Sequence, residues 1–421
     1  MTHTAVADQS QPEAEDGTGS PTPEQFELEV RAFFEANADK RSEETFVWGE
    51  GSDHVGLFPE RTPAEDAADL AAARAWARRV FDAGYGWITG PTAYGGRGLT
   101  RDYQRIFNAV AAGYKTPSMS VYGIGLGMVA PTILAHATEG VRRAYLVPMY
   151  RGDIVGCQLF SEPSSGSDLA SLQTRAVRDG DEWVITGQKV WTSGAQLSDI
   201  GEIICRTDPD LPKHRGLTGF VVDMHAAGVE VRPLRQMTGG ASFNEVFFTD
   251  VRVPDSHRLG EVNGGWTVAL TTLMNERAAI GGGGGGLGLP ASRRLVELAR
   301  AKGRADDPLV RQQLASVIVH ERVAGYTNLR AMARIAVGQL PGPEMSLGKL
   351  SLTANMVRTC EAVSSILGPS LVADNGAWGT YAWSEYLLGV PGMRVAGGTD
   401  EVLRNIIGER VLGLPKDPAP Q

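Results

Sequence analysis

The chain has 421 residues, 42% hydrophobic and 21% charged, which is longer than one domain usually needs and ample for a large core. Its net charge of −9 contains no Lys/Arg-rich run, which argues against nucleic acid or an anionic membrane as partner. Cys157, Cys205 and Cys360 are far apart without a CxxC, and the seven histidines form no HExxH, so neither a disulfide framework nor a zinc site is expected.

Residues 1–22 are polar and acidic with no apolar stretch, and read as a disordered tail rather than a signal peptide. No apolar run is long enough for a membrane span. Residues 23–41 predict a helix, with Phe26, Val30, Phe33 and Phe34 at helical spacing. Thr62 and Pro63 open a second, as cap and first-turn residue; Leu70, Ala73, Ala77, Val80 and Phe81 form its apolar face and Gly84 ends it. Helical periods continue over 103–112, 122–137 and 140–149, so residues 23–152 read as an all-helical domain.

The period then changes. Short β-rich runs at 182–186, 200–206, 219–223, 229–233 and 245–253 are separated by glycine turns, and predict a small β-barrel or sandwich over 153–259. Helices return at 292–304, 307–334, 344–367 and 401–411, giving a C-terminal helical bundle over 260–413 and a tail at 414–421. The fold class is therefore α+β, in the order helical, β, helical.

Two stretches of the β region carry chemistry. Residues 160–168 run from a strand end into a turn holding Ser161, Pro163, Ser164, Ser165, Gly166, Ser167 and Asp168. Small residues let backbone N–H groups approach closely and hydroxyls add donors, which suits an oxyanion such as a diphosphate; an ordinary Ser/Gly turn is the other reading. Further on, Trp191, Thr192 and Ser193 place an aromatic plane beside two hydroxyls, able to cover a flat heterocycle and bond its edge.

SEPSSGSD (161–168) followed by GDEWVITGQKVWTSGAQLSD (180–199) resembles the flavin-binding middle domain of the acyl-CoA dehydrogenase family. WITGPTAYGGRGLT (87–100), the run from 131 to 160, NEVFFTDVRVP (244–254) and GGTDEVLRNIIGERVLG (397–413) resemble the family's other segments in order. The resemblance implies FAD, an acyl-CoA substrate oxidised to a trans-2-enoyl-CoA, an electron-transfer flavoprotein as acceptor, a dimer or homotetramer, and a cytoplasmic protein of fatty acid metabolism. It implies FAD contacts from Gln158, Leu159, Phe160, Ser161, Gly166, Ser167, Trp191, Thr192, Ser193, Thr399 and Glu401. Ser167 would also reach the CoA end. The family's cross-subunit flavin segments have no clean match in 303–313 or 366–370.

The reaction implied removes a proton α to a thioester while hydride leaves the β carbon, so a base must face the flavin across the substrate. Where most members carry a carboxylate, this chain has Gly397, whose N–H remains an oxyanion donor. A minority, the isovaleryl- and long-chain-type enzymes, carry the base in an LxxER pattern, matched by LMNER (273–277). Glu276 is then the candidate base and Arg277 a CoA contact; a solvated or ion-paired helix Glu is the bland alternative. Six glycines, 281–286, follow. In helical register Glu276, Ala279, Ile280, Gly283, Gly284 and Leu287 share a face, which opens the pocket to a branched, cyclic or bulky acyl group or else lets helices pack closely. Two rival activities remain: a base-deficient partner subunit of a heteromeric dehydrogenase, and a flavin oxidase or monooxygenase on the same scaffold.

Overall fold

The computed structural model describes residues 19–41, 47–53, 55–58, 60–281, 291–336 and 342–416. The chain falls into two compact units, 1–43 with 83–116, and 44–82 with 117–421.

In the first unit, α1 (Pro23–Asn37) starts with a capping box: Thr22 Oγ1 accepts from Gln25 N–H, and the Gln25 side chain accepts from Thr22 N–H. Phe26, Val30 and Phe34 are buried, as their spacing predicts. The helix stops short of 41 because tertiary pairing takes over: Lys40 bridges Tyr114, Lys115 N–H donates to Asp39 and Arg41 N–H to Gly113. α3 (Arg101–Ala111) packs on α1, and rings of Phe26, Tyr85 and Tyr103 meet edge to face.

In the second unit, α2 (Pro63–Asp82) is capped by Thr62 as expected, with Glu65 answering at the Thr62 N–H. The helix expected over 122–137 is broken. A 3-10 turn (Ser120–Tyr122) leads to a π-helical turn (Gly125–Val129) and then α4 (Ala130–His136). Pro131 supplies no N–H to a regular ladder, which disfavours an unbroken α-helix here. Gly125 lies against the β1 backbone: a Cβ there would come within 3.1 Å of Gly156 N. α5 (Glu139–Arg151) ends at Gly152, whose positive φ and contact with Ala77 admit only glycine without rearrangement.

Eight strands follow: β1 (Gly156–Leu159), β2 (Arg175–Asp179), β3 (Glu182–Ser193), β4 (Ile200–Arg206), β5 (Leu217–Asp223), β6 (Val229–Leu234), β7 (Phe243–Pro254) and β8 (Arg258–Leu259). Their order is β6-β7-β3-β2-β4-β5-β8, with β1 parallel to β4. Trp183 on β3 meets Phe220 on β5 at 5.4 Å although two strands separate them in the ladder. The sheet therefore curls around one core, built from Leu159, Ile185, Ile203, Phe220, Val222, Val246 and Phe248.

The remaining helices are α6 (Gly265–Gly281), α7 (Ala291–Ala301), α8 (Pro308–Ala336), α9 (Ser346–Leu367), α10 (Ala382–Val395) and α11 (Asp400–Arg410). Their core joins Leu295, Leu298, Val317, Met356, Ile366 and Trp383. The sequence reading lacked α10, which carries Gly389 and Pro391 inside it. Among the described residues no helix is long and apolar enough to cross a membrane.

Phe220→Ala should cost about 3–5 kcal/mol of stability, because the ring is fully buried between β3 and β5. Thermal denaturation with intact far-ultraviolet circular dichroism before the transition is the measurement.

Candidate active site

The two flavin-like stretches are tied together by one buried ion pair. β1 carries the chain to Phe160, and Glu162 and Ser165 then exchange backbone hydrogen bonds of 2.9 and 3.0 Å to close a tight turn. Lys189, on β3, is fully buried; its ammonium donates to Glu162 Oε1 at 2.8 Å, to the Phe160 carbonyl at 3.1 Å and to the Ile204 carbonyl at 2.9 Å. Glu162 also accepts from the N–H groups of Gln173 and Thr174. Burial alone would raise its pKa, but the Lys189 charge and these hydrogen bonds outweigh that and hold the carboxyl below its usual range. Beside them, Val190 N–H donates to the Ser161 carbonyl at 2.8 Å, so Ser161 and Trp191 are neighbours by backbone pairing.

The turn divides its side chains by role. Ser165 Oγ donates to the Asp168 carbonyl, and Asp168 pairs with Lys213 and accepts from Ser171, so these polar groups are engaged in the loop itself. Ser164, Gly166 and Ser167 are exposed at its tip, and a Cβ on Gly166 would meet nothing within 4 Å. Gln158 and Ser161 are half-buried, while Leu159 and Phe160 are buried. An open groove of about 570 Å³ beside the turn is lined by Gln173, Arg175, Arg206 and Lys213. Arg206 donates to the carbonyls of Ala170, Leu172 and Lys213, which fixes its guanidinium at the groove wall.

Trp191 is placed by a β-bulge. Lys189 faces Val246 and Thr192 faces Asn244, so β3 holds one residue more than β7 between these pairs. The extra residue turns the chain, and Trp191 takes φ 61°, a left-handed backbone uncommon for a bulky residue. The result is an indole 60% exposed, standing edge-on to Phe243 at 6.0 Å. Thr192 is buried, its carbonyl accepting from Asn244 Nδ2, and its hydroxyl finds no hydrogen-bond partner among the described residues. Ser193 is half-buried. An exposed aromatic plane next to half-buried hydroxyls and an open glycine-containing turn fits a flat heterocycle carrying a diphosphate.

The candidate base is on α6. Val268, Ala269 and Thr272 are buried, whereas Leu270 and Met274 are exposed, which defines the helix's inner face. Glu276 is one turn beyond Thr272 on that inner face and is half-buried. Arg277 follows it in the helix; its side chain lies outside the described residues. So does the glycine stripe from 282 onward, including Gly283, Gly284 and Leu287.

At the other end, α10 leads into Gly397 and Gly398, with φ 67° and 88°, and then Thr399 caps α11 by accepting from Val402 N–H at 3.2 Å. The turn is fastened by Asp400, which is buried against Lys349 at 3.0 Å, Arg394 at 2.9 Å and Thr353 at 2.9 Å. Lys349 also donates to the Gly398 carbonyl. Burial opposes ionisation of Asp400, yet Arg394 and Lys349 hold its carboxyl below the usual range. Thr399 thus uses its hydroxyl as a cap, and Glu401 is exposed beside Arg404. α9, which carries Lys349 and Thr353, packs against both α6 and α11, and so links the Glu276 helix to the Gly397 turn.

The descriptions of three acyl-CoA dehydrogenase domains match the chain in order: N-terminal over 56–153, middle over 157–251 and C-terminal over 263–412. Acyl-CoA dehydrogenase IpdE1 of Mycobacterium tuberculosis is 36% identical over 94% of this chain and 98% of its own length. The chain belongs to the acyl-CoA dehydrogenase family. This is a family of flavoprotein oxidoreductases acting on a CH–CH group. Acyl-CoA dehydrogenase FadE34 of the same organism is 40% identical over 86% of this chain, which spans only 49% of that relative's length. The solved structure of a Tcur3481-Tcur3483 steroid ACAD superposes with a TM-score of 0.72 at 27% identity, covering 95% of this chain and 99% of its own.

Two groups that hold the site together were missed in the sequence: Lys189 with Glu162, and Lys349 with Asp400. Lys189→Met should destabilise the protein by about 3–5 kcal/mol, since it strands Glu162 without its cation, and should lower flavin retention; adding Glu162→Gln should recover part of the loss. Both Glu162 and Asp400 have depressed pKa values, so their stabilisation is present above the ordinary 4.5 and 3.8 and is lost as pH falls through the folded values. Melting temperature followed downward from pH 5 should fall more steeply in the wild type than in the double variant.

Proposed function

We propose that the protein is an FAD-dependent dehydrogenase of bulky acyl-CoA thioesters, yielding the trans-2-enoyl-CoA, with Glu276 as proton acceptor. The observation that supports this most is the inner-face position of Glu276 on α6, together with a glycine at the alternative position, Gly397. In this reading Glu276 takes the proton α to the thioester carbonyl, and the Gly397 N–H donates to the thioester oxygen as charge develops there. Bound FAD supplies the acceptor for the hydride leaving the β carbon. Trp191 covers the ring system, Ser161 and Ser193 donate to its edge, and Gln158, Leu159 and Phe160 line the adjoining wall. Gly166 and Ser167 present the turn to the diphosphate or the CoA end. Thr399 and Glu401 flank the flavin from the C-terminal turn, and Arg277 contacts CoA.

Support for a bulky acyl group comes from the likeness to a protein described as a steroid ACAD. Leu309, Val319, Val323, Tyr326 and Leu329 stand exposed on α8, an apolar display that supports association into a dimer or tetramer of like or related chains. An electron-transfer flavoprotein is the proposed acceptor. Three free cysteines, two of them buried, support a cytoplasmic setting.

The test is anaerobic bleaching of the purified flavoprotein by acyl-CoAs of increasing bulk. A cyclic or steroid-like acyl-CoA should bleach it faster than butyryl-CoA. Glu276→Gln should keep the flavin bound and slow its reduction about a hundred- to ten-thousand-fold. Full activity in that variant would remove Glu276 from the mechanism. Retained flavin with no bleaching of the wild type by any acyl-CoA would favour the base-deficient partner subunit instead.

A further inference from the structure

One buried carboxyl has no place in the chemistry above. Glu202 lies mid-strand on β4 and is fully buried. Its neighbours Ile203 and Cys205 point into the core of the curled sheet, so Glu202 faces the other way, as does Ile204. α6 covers that outer face: a Cβ on Gly219, paired with Ile204, would meet Val268 at 3.1 Å and Ile204 itself at 3.3 Å. Glu202 Oε1 is 2.6 Å from Thr272 Oγ1 on α6. Thr272 Oγ1 is 2.8 Å from Thr132 Oγ1 on α4, and Thr132 donates to the Met128 carbonyl at 2.9 Å. Glu202 Oε2 is buried with no hydrogen-bond partner among the described residues.

We propose that Glu202 is a positioning residue: through Thr272 it fixes α6 against β4 and α4, and with it the reach of Glu276 one turn further along the helix. The inference rests on Glu276 being the base. Proton counting supplies its chemistry. Three contacts of 2.6, 2.8 and 2.9 Å run in series, all shorter than the 3.3 Å from Thr272 Oγ1 to the Val268 carbonyl, and each needs one proton between its oxygens. The two threonine hydroxyls supply two. The third is a carboxylic proton on Glu202, donated to Thr272, which donates to Thr132, which donates to Met128. An ionised Glu202 would leave a buried charge with a single neutral donor and one bare oxygen, a costly arrangement. Burial pushes the carboxyl up to about 8.

The titratable groups on the surrounding elements do not duplicate this behaviour. Cys157 on β1 is buried, with its thiol pushed up to about 12. Asp223 ends β5 two residues from Val221, the strand partner of Glu202, and is exposed, and His257 beside Val221 is pushed down by burial. His136 on α4 bonds Thr271, and burial lowers its pKa. Lys189 reaches the Ile204 carbonyl but is paired with Glu162. Glu276 lies one turn along α6.

The experiment compares wild type, Glu202→Gln and Thr272→Val as flavin-loaded proteins. Glutamine is neutral at every pH and keeps a donor, so Glu202→Gln should reduce its flavin near the wild-type rate at pH 7. Thr272→Val breaks the chain and should slow reduction on the order of tenfold to a hundredfold, with KM little changed. A folded pKa above the unfolded one means stability is full below 4.5 and is lost as pH rises toward 8. Melting temperature of the wild type should therefore fall between pH 5 and 8.5 relative to Glu202→Gln, and the wild type alone should lose reduction rate above pH 8. Equal melting curves for the two proteins would show that Glu202 is not a neutral acid. A Glu202→Gln protein as impaired as Thr272→Val would show that charge is required, and an unimpaired Thr272→Val would show that the chain does not position the helix; either result overturns the proposal. The melting comparison needs no substrate. If it succeeds while no acyl-CoA reduces the wild-type flavin, the failure belongs to the Glu276 assignment, and the positioning role falls with it.

Discussion

The middle of the molecule depends on the three hydrogen bonds of one ammonium group. Lys189 has three protons and gives them to Phe160, Glu162 and Ile204, one each on the end of β1, the Ser/Gly turn and β4. Three segments distant in sequence are thereby brought to one point. A pair of apolar residues could fill the same volume, but would strand the N–H groups of Gln173 and Thr174 and the carbonyls of Phe160 and Ile204, and would not specify which turn meets which strand. What the pair fixes is register: Val190 bonds Ser161, the next residue turns out through the bulge, and Trp191 is left exposed at a set distance from the turn.

The C-terminal half repeats the device with the charges exchanged in order along the chain. Lys349 on α9 gathers Asp400 together with the carbonyls of Arg394 and Gly398, so the end of α10, the double-glycine turn and the start of α11 share one anchor. α9 also packs on α6. The two ends of the candidate site therefore rest on a single long helix, so the Glu276 segment of α6 and the turn at 397 share one support.

Local pattern was legible in the sequence wherever one face of an element is apolar. The run at 200–206 coincides with β4, and the cap at Thr62 is where side-chain chemistry places it. β2 was invisible because only Ala176 of its five residues is buried, leaving no alternation to detect. β3 was read as half its length, since Gly187 packs its backbone onto Thr174 and the bulge at Trp191 interrupts the period of two. The candidate motifs, the Ser/Gly turn, Trp191 and LMNER, are local strings that resemblance can single out. The groups that hold them are not. Lys189 and Glu162 are 27 residues apart, and Lys349 and Asp400 are 51 apart, distances over which no periodicity connects a cation to its carboxylate.

The double-glycine turn limits what position 397 can carry. Gly397 and Gly398 both hold left-handed backbone, a conformation that costs an ordinary residue about 1–2 kcal/mol. A carboxylate substituted at position 397 would meet that penalty inside a segment clamped by Lys349. Placing an acid there would require the loop to be rebuilt as well, so this chain is separated from a carboxylate at 397 by the geometry of a turn and not only by one missing side chain.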